Sequence, residues 1–282
     1  MLINNYENYE KEAKKGGNEA FLRFIGYGED KQFGYAARND AYGQTKETSV
    51  PIIGLQADGI VNKDFYGQHG VPKILCLMYE SYRRGSEFVD YVWNLAKWLG
   101  EKKEEDMTGM FATVQGWLES IFKELEIPVT EYKYNLLNYC AWMNISKLGR
   151  TTADKSNKVL REAVKSEKNA VNPYLYPATA EKLTEQLLSY NPDIIICGNT
   201  EWLLYTFLTN AGIKDLFPEE NGRVDIKNKR LHLIHYRLKG KDVAVFCPYH
   251  PSVRNRRLKA TKEDFLEIIA NNEGWLRTIL KR

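Results

Sequence analysis

Short, uninterrupted apolar runs constrain the fold of this 282-residue chain more than any other feature. They read KILCLM at residues 73–78, DIIIC at 193–197 and VAVFC at 243–247. Such runs are typical of strands that are covered on both faces, as strands of parallel sheets are. A fourth strand-like run covers roughly residues 136–145. The chain must therefore supply helices for both sides of a sheet.

Helices are predicted between and after these runs, from apolar spacing and from capping residues. They cover residues 86–99, 111–125, 158–166, 180–190, 201–211 and 262–280. Residues 230–238 and 243–247, joined through LKGKD, are predicted to pair as a hairpin. Strands that alternate with helices in this way predict an α/β fold with a mostly parallel central sheet flanked by helices.

The first 70 residues form the least regular part of the sequence. Residues 26–70 are rich in Gly, Asp, Asn and Tyr, with short helices predicted at 11–15 and 19–24 and a strand near 50–55. We interpret residues 1–70 as a loop-rich N-terminal extension packed on the core. Residues 71–282 are predicted to form the α/β domain.

Apolar content and cysteine usage indicate a cytoplasmic protein. No apolar run approaches the ~18–20 residues that a membrane span requires, and the first twenty residues contain no apolar stretch typical of a secretory signal. Cys76, Cys140, Cys197 and Cys247 lie far apart, inside or beside apolar runs, as buried reduced thiols do. We expect no metal and no cofactor. A nucleotide-binding enzyme is disfavoured because neither GxGxxG nor a P-loop follows a predicted strand.

Polar side chains follow each predicted strand, at the edge where ligands bind in open α/β sheets. We expect these side chains to converge. They are Tyr79, Glu80, Ser81 and Tyr82 after the first strand, Asn144 and Lys147 after the second, Asn199 after the third, and His250 and Ser252 after the last.

The order of these segments resembles the uracil-DNA glycosylase superfamily. Residues 242–266, which include YHPS, resemble that family's last strand, HPS loop and following helix. PDIIICGNTEW is similar to its preceding strand, WMNISK to its Asn-Leu-Val-Lys segment, and ILCLMYESY stands in the place of its first motif. The resemblance covers about residues 71–280, and it implies a three-layer sandwich of the uracil-DNA glycosylase type.

The resemblance implies a DNA glycosylase that hydrolyses the N-glycosidic bond of a flipped uracil or modified base. Glu80 would stabilise the oxocarbenium-like sugar and orient water, and His250 would donate to the base oxygen where negative charge grows. Asn144 would hydrogen-bond the base edge and Tyr82 would stack on the base or gate it, with Tyr79 and Ser81 beside them. Residues expected to contact DNA are Lys147, Asn199, Ser252, Arg254, Arg256 and Arg257.

Departures from the family pattern leave alternatives open. Met78 stands where the family usually has Gly, and residues 79–82 replace the Gln-Asp-Pro-Tyr of uracil-specific members. Glu80 can also be a solvated loop carboxylate, His250 a structural histidine and Asn144 a turn residue. Uracil specificity is therefore not carried over. The main alternative is a catalytically inactive nucleic-acid-binding protein on the same fold.

Charge indicates where a nucleic acid would bind. Between residues 227 and 262, eleven Lys and Arg residues accompany one acid, Asp242, which gives +10; the whole chain carries +3, so the remainder sums to −7. Such asymmetry is typical of phosphate contact, although a charged face can also serve solubility. Val253 and Arg254 take the place of the family's apolar wedge, and Arg254 is expected to insert and stack in DNA. We expect a monomer whose partner is duplex or single-stranded DNA.

Overall fold

The structure is a computed structural model. It describes residues 56–68, 70–79, 82–83, 93–128, 135–145, 150–151, 177–217, 226–227, 230–253, 255 and 257–280. The elements predicted at residues 11–15, 19–24, 50–55 and 158–166, and the first part of the one at 86–99, lie outside these ranges.

Seven strands form one sheet within the described ranges. They are β2 (Gly59–Ile60), β3 (Ile74–Met78), β6 (Cys140–Asn144), β8 (Ile194–Cys197), β9 (Ile226–Lys227), β10 (Leu231–Leu238) and β11 (Lys241–Pro248). Their order across the sheet is β2, β6, β3, β8, β11, β10 and β9. Two further pairs lie apart from this sheet, β1 (Gln56–Ala57) with β5 (Trp93–Asn94), and β4 (Tyr82–Arg83) with β7 (Arg150–Thr151).

The sheet is mixed. Strands β6, β3, β8 and β11 pair in parallel. The hairpin adds β10 and then β9 antiparallel at one edge, and β2 is antiparallel to β6 at the other. The parallel character that the sequence predicted therefore belongs to the four central strands.

Helices cover both faces of the sheet. Helices α1 (Leu95–Glu101), α2 (Gly109–Glu124), α5 (Lys262–Ala270) and α6 (Glu273–Ile279) supply one core cluster, and α3 (Pro177–Tyr190) and α4 (Glu201–Asn210) supply the other. Alternate residues of each central strand enter opposite clusters, for example Cys76 the first and Leu77 the second. Burial on both faces is the reason that these strands are uniformly apolar.

The strand predicted over residues 136–145 is shorter in the structure. Residues Leu136–Tyr139 form a 3-10 helix, and β6 begins only at Cys140. The partner strand β3 begins at Ile74, which is in register with Cys140, so the preceding residues have no strand to pair with there. Side chains satisfy the backbone instead: Gln115 Oε1 accepts the Leu136 N–H at 2.9 Å.

The C-terminal helix predicted over residues 262–280 is two helices, α5 and α6. Asn272 separates them: its Nδ2 donates to the Ile268 carbonyl at 2.7 Å, and its φ of −133° lies outside the helical range. Asparagine side chains that bond nearby backbone compete with helix continuation. The hairpin prediction is confirmed, since β10 and β11 pair antiparallel. Lys239 and Gly240 between them take φ of 50° and 82°, as a type I′ turn requires.

In the part of the chain that the structure describes, no helix is long and apolar enough to cross a membrane.

Candidate functional site

The carboxyl ends of the four parallel strands meet at one edge of the sheet. The order along this edge is Asn144, Met78, Gly198 and Pro248, because β6, β3, β8 and β11 are consecutive neighbours. Met78 is in register with Asn144. The predicted convergence of the segments after these strands therefore follows from the strand order.

The turn after β8 holds three strand ends together. The Gly198 N–H and the Thr200 hydroxyl both donate to the Leu77 carbonyl of β3, at 3.1 and 2.8 Å. The Asn199 N–H donates to the Pro248 carbonyl of β11 at 2.9 Å. Asn199 itself is exposed and has a φ of 60°, a left-handed conformation that asparagine tolerates. The turn thus fixes the His250 loop against the end of β3.

Gly198 is a point of close approach. A Cβ at this position would lie 2.5 Å from Met78 Sδ and 3.1 Å from Pro251 Cδ. Met78 is wholly buried, so relief of this clash would require its packed side chain to move. Only glycine allows Met78 and Pro251 to pack this closely on the two sides of the turn.

His250 lies in the loop after β11, where its hydrogen bonds and its burial determine which ring nitrogen carries the proton. The Ser252 N–H donates to His250 Nδ1 at 3.1 Å, and the Val253 N–H donates to the His250 carbonyl at 2.8 Å. Burial lowers the pKa of His250 below its ordinary value of 6.5. The ring is therefore neutral near pH 7, and because Nδ1 accepts, its proton is on Nε2. His250 can act as a neutral hydrogen-bond donor.

Asn144 is almost completely buried, with 1% of its surface exposed. The Trp142 indole N–H donates to Asn144 Oδ1 at 3.3 Å. Because an indole nitrogen can only donate, this contact fixes which side of the Asn144 amide carries the oxygen. The amide is thus held in one orientation at the end of β6.

Asp58 supports Asn144 from the edge strand. One carboxylate oxygen, Oδ2, accepts the Asn144 main-chain N–H at 2.6 Å, and Oδ1 accepts from Gln186 Nε2 at 2.7 Å. Gln186 Nε2 also lies 2.7 Å from the Tyr190 hydroxyl. Burial is the main cause that raises the pKa of Tyr190, and the nearby Asp58 charge adds to it. The sequence analysis did not identify this buried carboxylate, because an Asp-Gly dipeptide such as Asp58-Gly59 is typical of a turn.

The remaining predicted site residues are only partly described. Tyr79 is half-buried against the α3–α4 side of the sheet, and the Tyr82 backbone pairs with that of Arg150 in the β4–β7 pair. Ser252 and Arg257 are exposed. The residues of the predicted set that lie outside the described ranges are Glu80, Ser81, Lys147, Arg254 and Arg256.

The predicted basic surface is divided in space. Arg237, Lys239 and Lys241 lie at the β10–β11 turn, and β11 then runs its full length, roughly 23 Å, before it reaches the His250 loop. The cations of residues 227–262 therefore do not form one surface around that loop. The sequence places these cations close along the chain, but the hairpin carries them to the opposite end of the sheet.

Ion pairing further reduces the free charge of this segment. In the described part of the segment, four cations are paired, and three of their acidic partners lie outside the segment. The pairs are Arg230 with Asp264 at 3.3 Å, Arg237 with Asp242 at 3.1 Å, Lys241 with Asp193 at 2.8 Å, and Lys262 with Glu119. The net charge that the sequence assigns to this segment overstates the positive potential that it presents to a ligand.

Two aromatic side chains stand out from the surface at the candidate edge. Trp202, in the first turn of α4, is 54% exposed, and Tyr249, directly after β11, is 41% exposed. The Asn199–Pro248 hydrogen bond links the two segments that carry them. Exposed aromatic rings beside a polar edge suit contact with planar groups such as nucleobases.

Within the described ranges, no group of three or more His, Cys, Asp or Glu side chains is placed to hold a metal ion. No protein-family model matches the chain. A search of curated proteins likewise finds no match.

Proposed function

We propose that the chain is a DNA glycosylase that hydrolyses the N-glycosidic bond of a flipped uracil or modified base. The observation that carries the proposal is the placement of a neutral histidine donor, His250, and an amide of fixed orientation, Asn144, at the same sheet edge. Loss of a base leaves negative charge on its oxygen, and a preorganised neutral donor stabilises that charge. An amide side chain carries both a donor and an acceptor, which is the pair of groups that a base edge matches.

Two further features support nucleic acid as the partner. Trp202 and Tyr249 expose aromatic surface at the same edge, and stacking on aromatic rings is a general means of holding unpaired bases. Arg257 is exposed in the loop that follows His250, where it can meet a phosphate. In this proposal the fold is a three-layer sandwich of the uracil-DNA glycosylase type, and Glu80 supplies the carboxylate beside the sugar. Its four free cysteines fit a cytoplasmic location, where thiols stay reduced.

The test is base release from a panel of duplex and single-stranded DNAs that carry uracil, hypoxanthine or hypermodified pyrimidines. We expect free base and an abasic site from at least one member of the panel. Glu80→Gln and His250→Ala should each lower the rate, by about 10²–10⁴-fold, without a change in the thermal unfolding curve. If both variants release base as fast as the parent, these roles are wrong.

A second candidate is a catalytically inactive nucleic-acid-binding protein on the same fold. The specific observation in its favour is the complete burial of Met78 between Asn144 and Gly198, which leaves little room for a base. This protein would bind DNA with an affinity that falls steeply with salt, yet it would release no base from any DNA in the panel.

A further inference from the structure

Met78 lies in the middle of the candidate edge. A ligand that contacts both Asn144 and the loop after Pro248 has to cross the ends of β3 and β8, a span of three strand spacings, or roughly 14 Å. Because Met78 and Asn144 are in register on parallel neighbours, their side chains leave the sheet on the same face. Trp142, which bonds Asn144, belongs to the same core cluster as Met78.

The Met78 side chain fills the space between the two polar ends of the site. It is 0% exposed, and its Sδ and Cε both lie close to the position that a Gly198 Cβ would take, at 2.5 and 3.2 Å. Pro251, the residue after His250, places its Cδ 3.1 Å from the same position. The thioether is thus packed between the Asn144 end and the His250 end of the edge.

We propose, on the basis of the proposed function, that Met78 is the specificity-determining residue of this site. Its side chain sets the depth to which a base can enter between Asn144 and His250, and so excludes bases with bulky substituents. Methionine is unbranched and flexible, so it can turn aside for a small planar base. A larger base would need a larger displacement of the side chain, which Gly198 and Pro251 oppose because both crowd the same space beside it.

Met143 provides a matched control. It is also 0% exposed, and it lies on the neighbouring strand β6. Its side chain belongs to the opposite core cluster, on the α3–α4 side of the sheet. Met78→Ala and Met143→Ala therefore remove the same buried atoms from adjacent strands, but only the first removes them from the candidate site.

The experiment measures binding of uracil, thymine and 5-hydroxymethyluracil as free bases by ligand-observed NMR titration. Met78→Ala should bind the two 5-substituted bases at least about tenfold more tightly than the parent, since added carbon in an apolar pocket changes binding by about 10–200-fold. Met143→Ala should match the parent. Met78→Val, which removes fewer atoms, serves if Met78→Ala does not fold, and it should give a smaller gain in the same direction.

Equal binding of all three bases by the Met78 variants, the Met143 variant and the parent overturns the proposal. So does an equal gain in the Met143 variant. Base release from DNA by the parent is measured separately, because it tests the proposed function and not the role of Met78. A gain in free-base binding without base release from any DNA would reject the glycosylase and keep Met78 as the determinant of a base-binding site.

Discussion

The carboxylate of Asp58 accepts the main-chain N–H of Asn144 at 2.6 Å. The bond crosses from the residue before β2 to the last residue of β6, so the edge strand fixes the end of its neighbour. Asp58 is 6% exposed, and hydrogen bonds to a buried ionised acceptor are about twice as strong as neutral ones. The position of Asn144 therefore depends on a residue more than eighty positions earlier in the chain.

Replacement of Asp58 by alanine should weaken both the fold and the position of Asn144. Asp58→Ala leaves the Asn144 N–H without its acceptor and leaves Gln186 Nε2 with the Tyr190 hydroxyl alone. We expect this to lower the free energy of unfolding by about 2–4 kcal/mol. Urea denaturation measures this loss. The exchange rate of the Asn144 amide hydrogen should rise beyond what the lower global stability explains.

Asp193→Ala is the matched control for Asp58→Ala. Asp193 Oδ2 also accepts a main-chain N–H, that of Lys73 at 2.7 Å, but it does so at the amino ends of the strands. This variant should lose stability while the corrected exchange rate of Asn144 stays as in the parent. An equal rise at Asn144 in both variants would show that Asp58 acts only through overall stability.

Asp58→Asn should be milder than Asp58→Ala. In the part of the chain that the structure describes, Gln186 Oε1 is buried and has no hydrogen-bond partner. If the Gln186 amide turns over, this oxygen can accept from the amide nitrogen of the introduced side chain, while the oxygen of that side chain keeps the Asn144 N–H. We expect about half the loss of Asp58→Ala or less, within the ~0.5–1.5 kcal/mol of a neutral hydrogen bond.

His250 should titrate below the ordinary histidine value. Its pKa is lowered from 6.5 by burial, so in the range between this lowered pKa and 6.5 the unfolded chain binds more protons than the folded one. The contribution of His250 to the free energy of unfolding should therefore be greatest above pH 6.5 and fall as the pH drops through that range. An NMR titration of the ring measures the folded pKa directly.

The stability effect of His250 is isolated by comparison with His250→Gln. Glutamine does not titrate. When the pH falls from above 6.5 to about one unit below it, the unfolding free energy of the parent should therefore decrease relative to that of the variant. A difference that does not change with pH, or a ring pKa above 6.5, would contradict the burial of His250.

The central strands could be predicted because the apolar runs that form them are visible in the local sequence. Burial on both faces demands an unbroken apolar run, and the runs at β3, β8 and β11 are visible in the sequence. The two-residue strands β2 and β9 could not be predicted, because two residues are too few to show an alternation of apolar and polar side chains. The 3-10 helix before β6 depends on where β3 begins, which is information from a different part of the chain.

The candidate site could be predicted only where it follows strand ends. His250 and Asn144 stand at the ends of apolar runs, and the strand order brings their segments to one edge. Asp58 was missed because its burial arises from the pairing of β2 with β6, a long-range contact. The division of the basic segment between the two ends of the sheet could not be predicted, because it depends on the return of the hairpin and not on distance along the chain.

Gly198→Ala should destabilise the protein through crowding of Met78. The new Cβ would lie 2.5 Å from Met78 Sδ, and overpacking of a closed core costs about 1–3 kcal/mol. Met78→Ala removes the sulfur atom with which the new Cβ would clash. In a double-mutant cycle measured by urea denaturation, Gly198→Ala should therefore cost clearly less in the Met78→Ala background than in the parent. Equal costs would place the clash elsewhere.

Arg257 and Lys239 separate the two ends of the sheet as surfaces for DNA. Both are exposed, but Arg257 follows the His250 loop and Lys239 lies at the β10–β11 turn at the opposite end. If DNA binds at the carboxyl edge, Arg257→Ala should weaken duplex binding and reduce the slope of log affinity against log salt by about one. Lys239→Ala should leave both quantities unchanged, as fluorescence anisotropy over a salt series measures.

Arg254→Ala, chosen from the sequence, should weaken binding in the same direction as Arg257→Ala. A loss with Lys239→Ala as large as that with Arg257→Ala would move the DNA surface away from the carboxyl edge, and the assignment of His250 and Asn144 to a flipped base would fall with it.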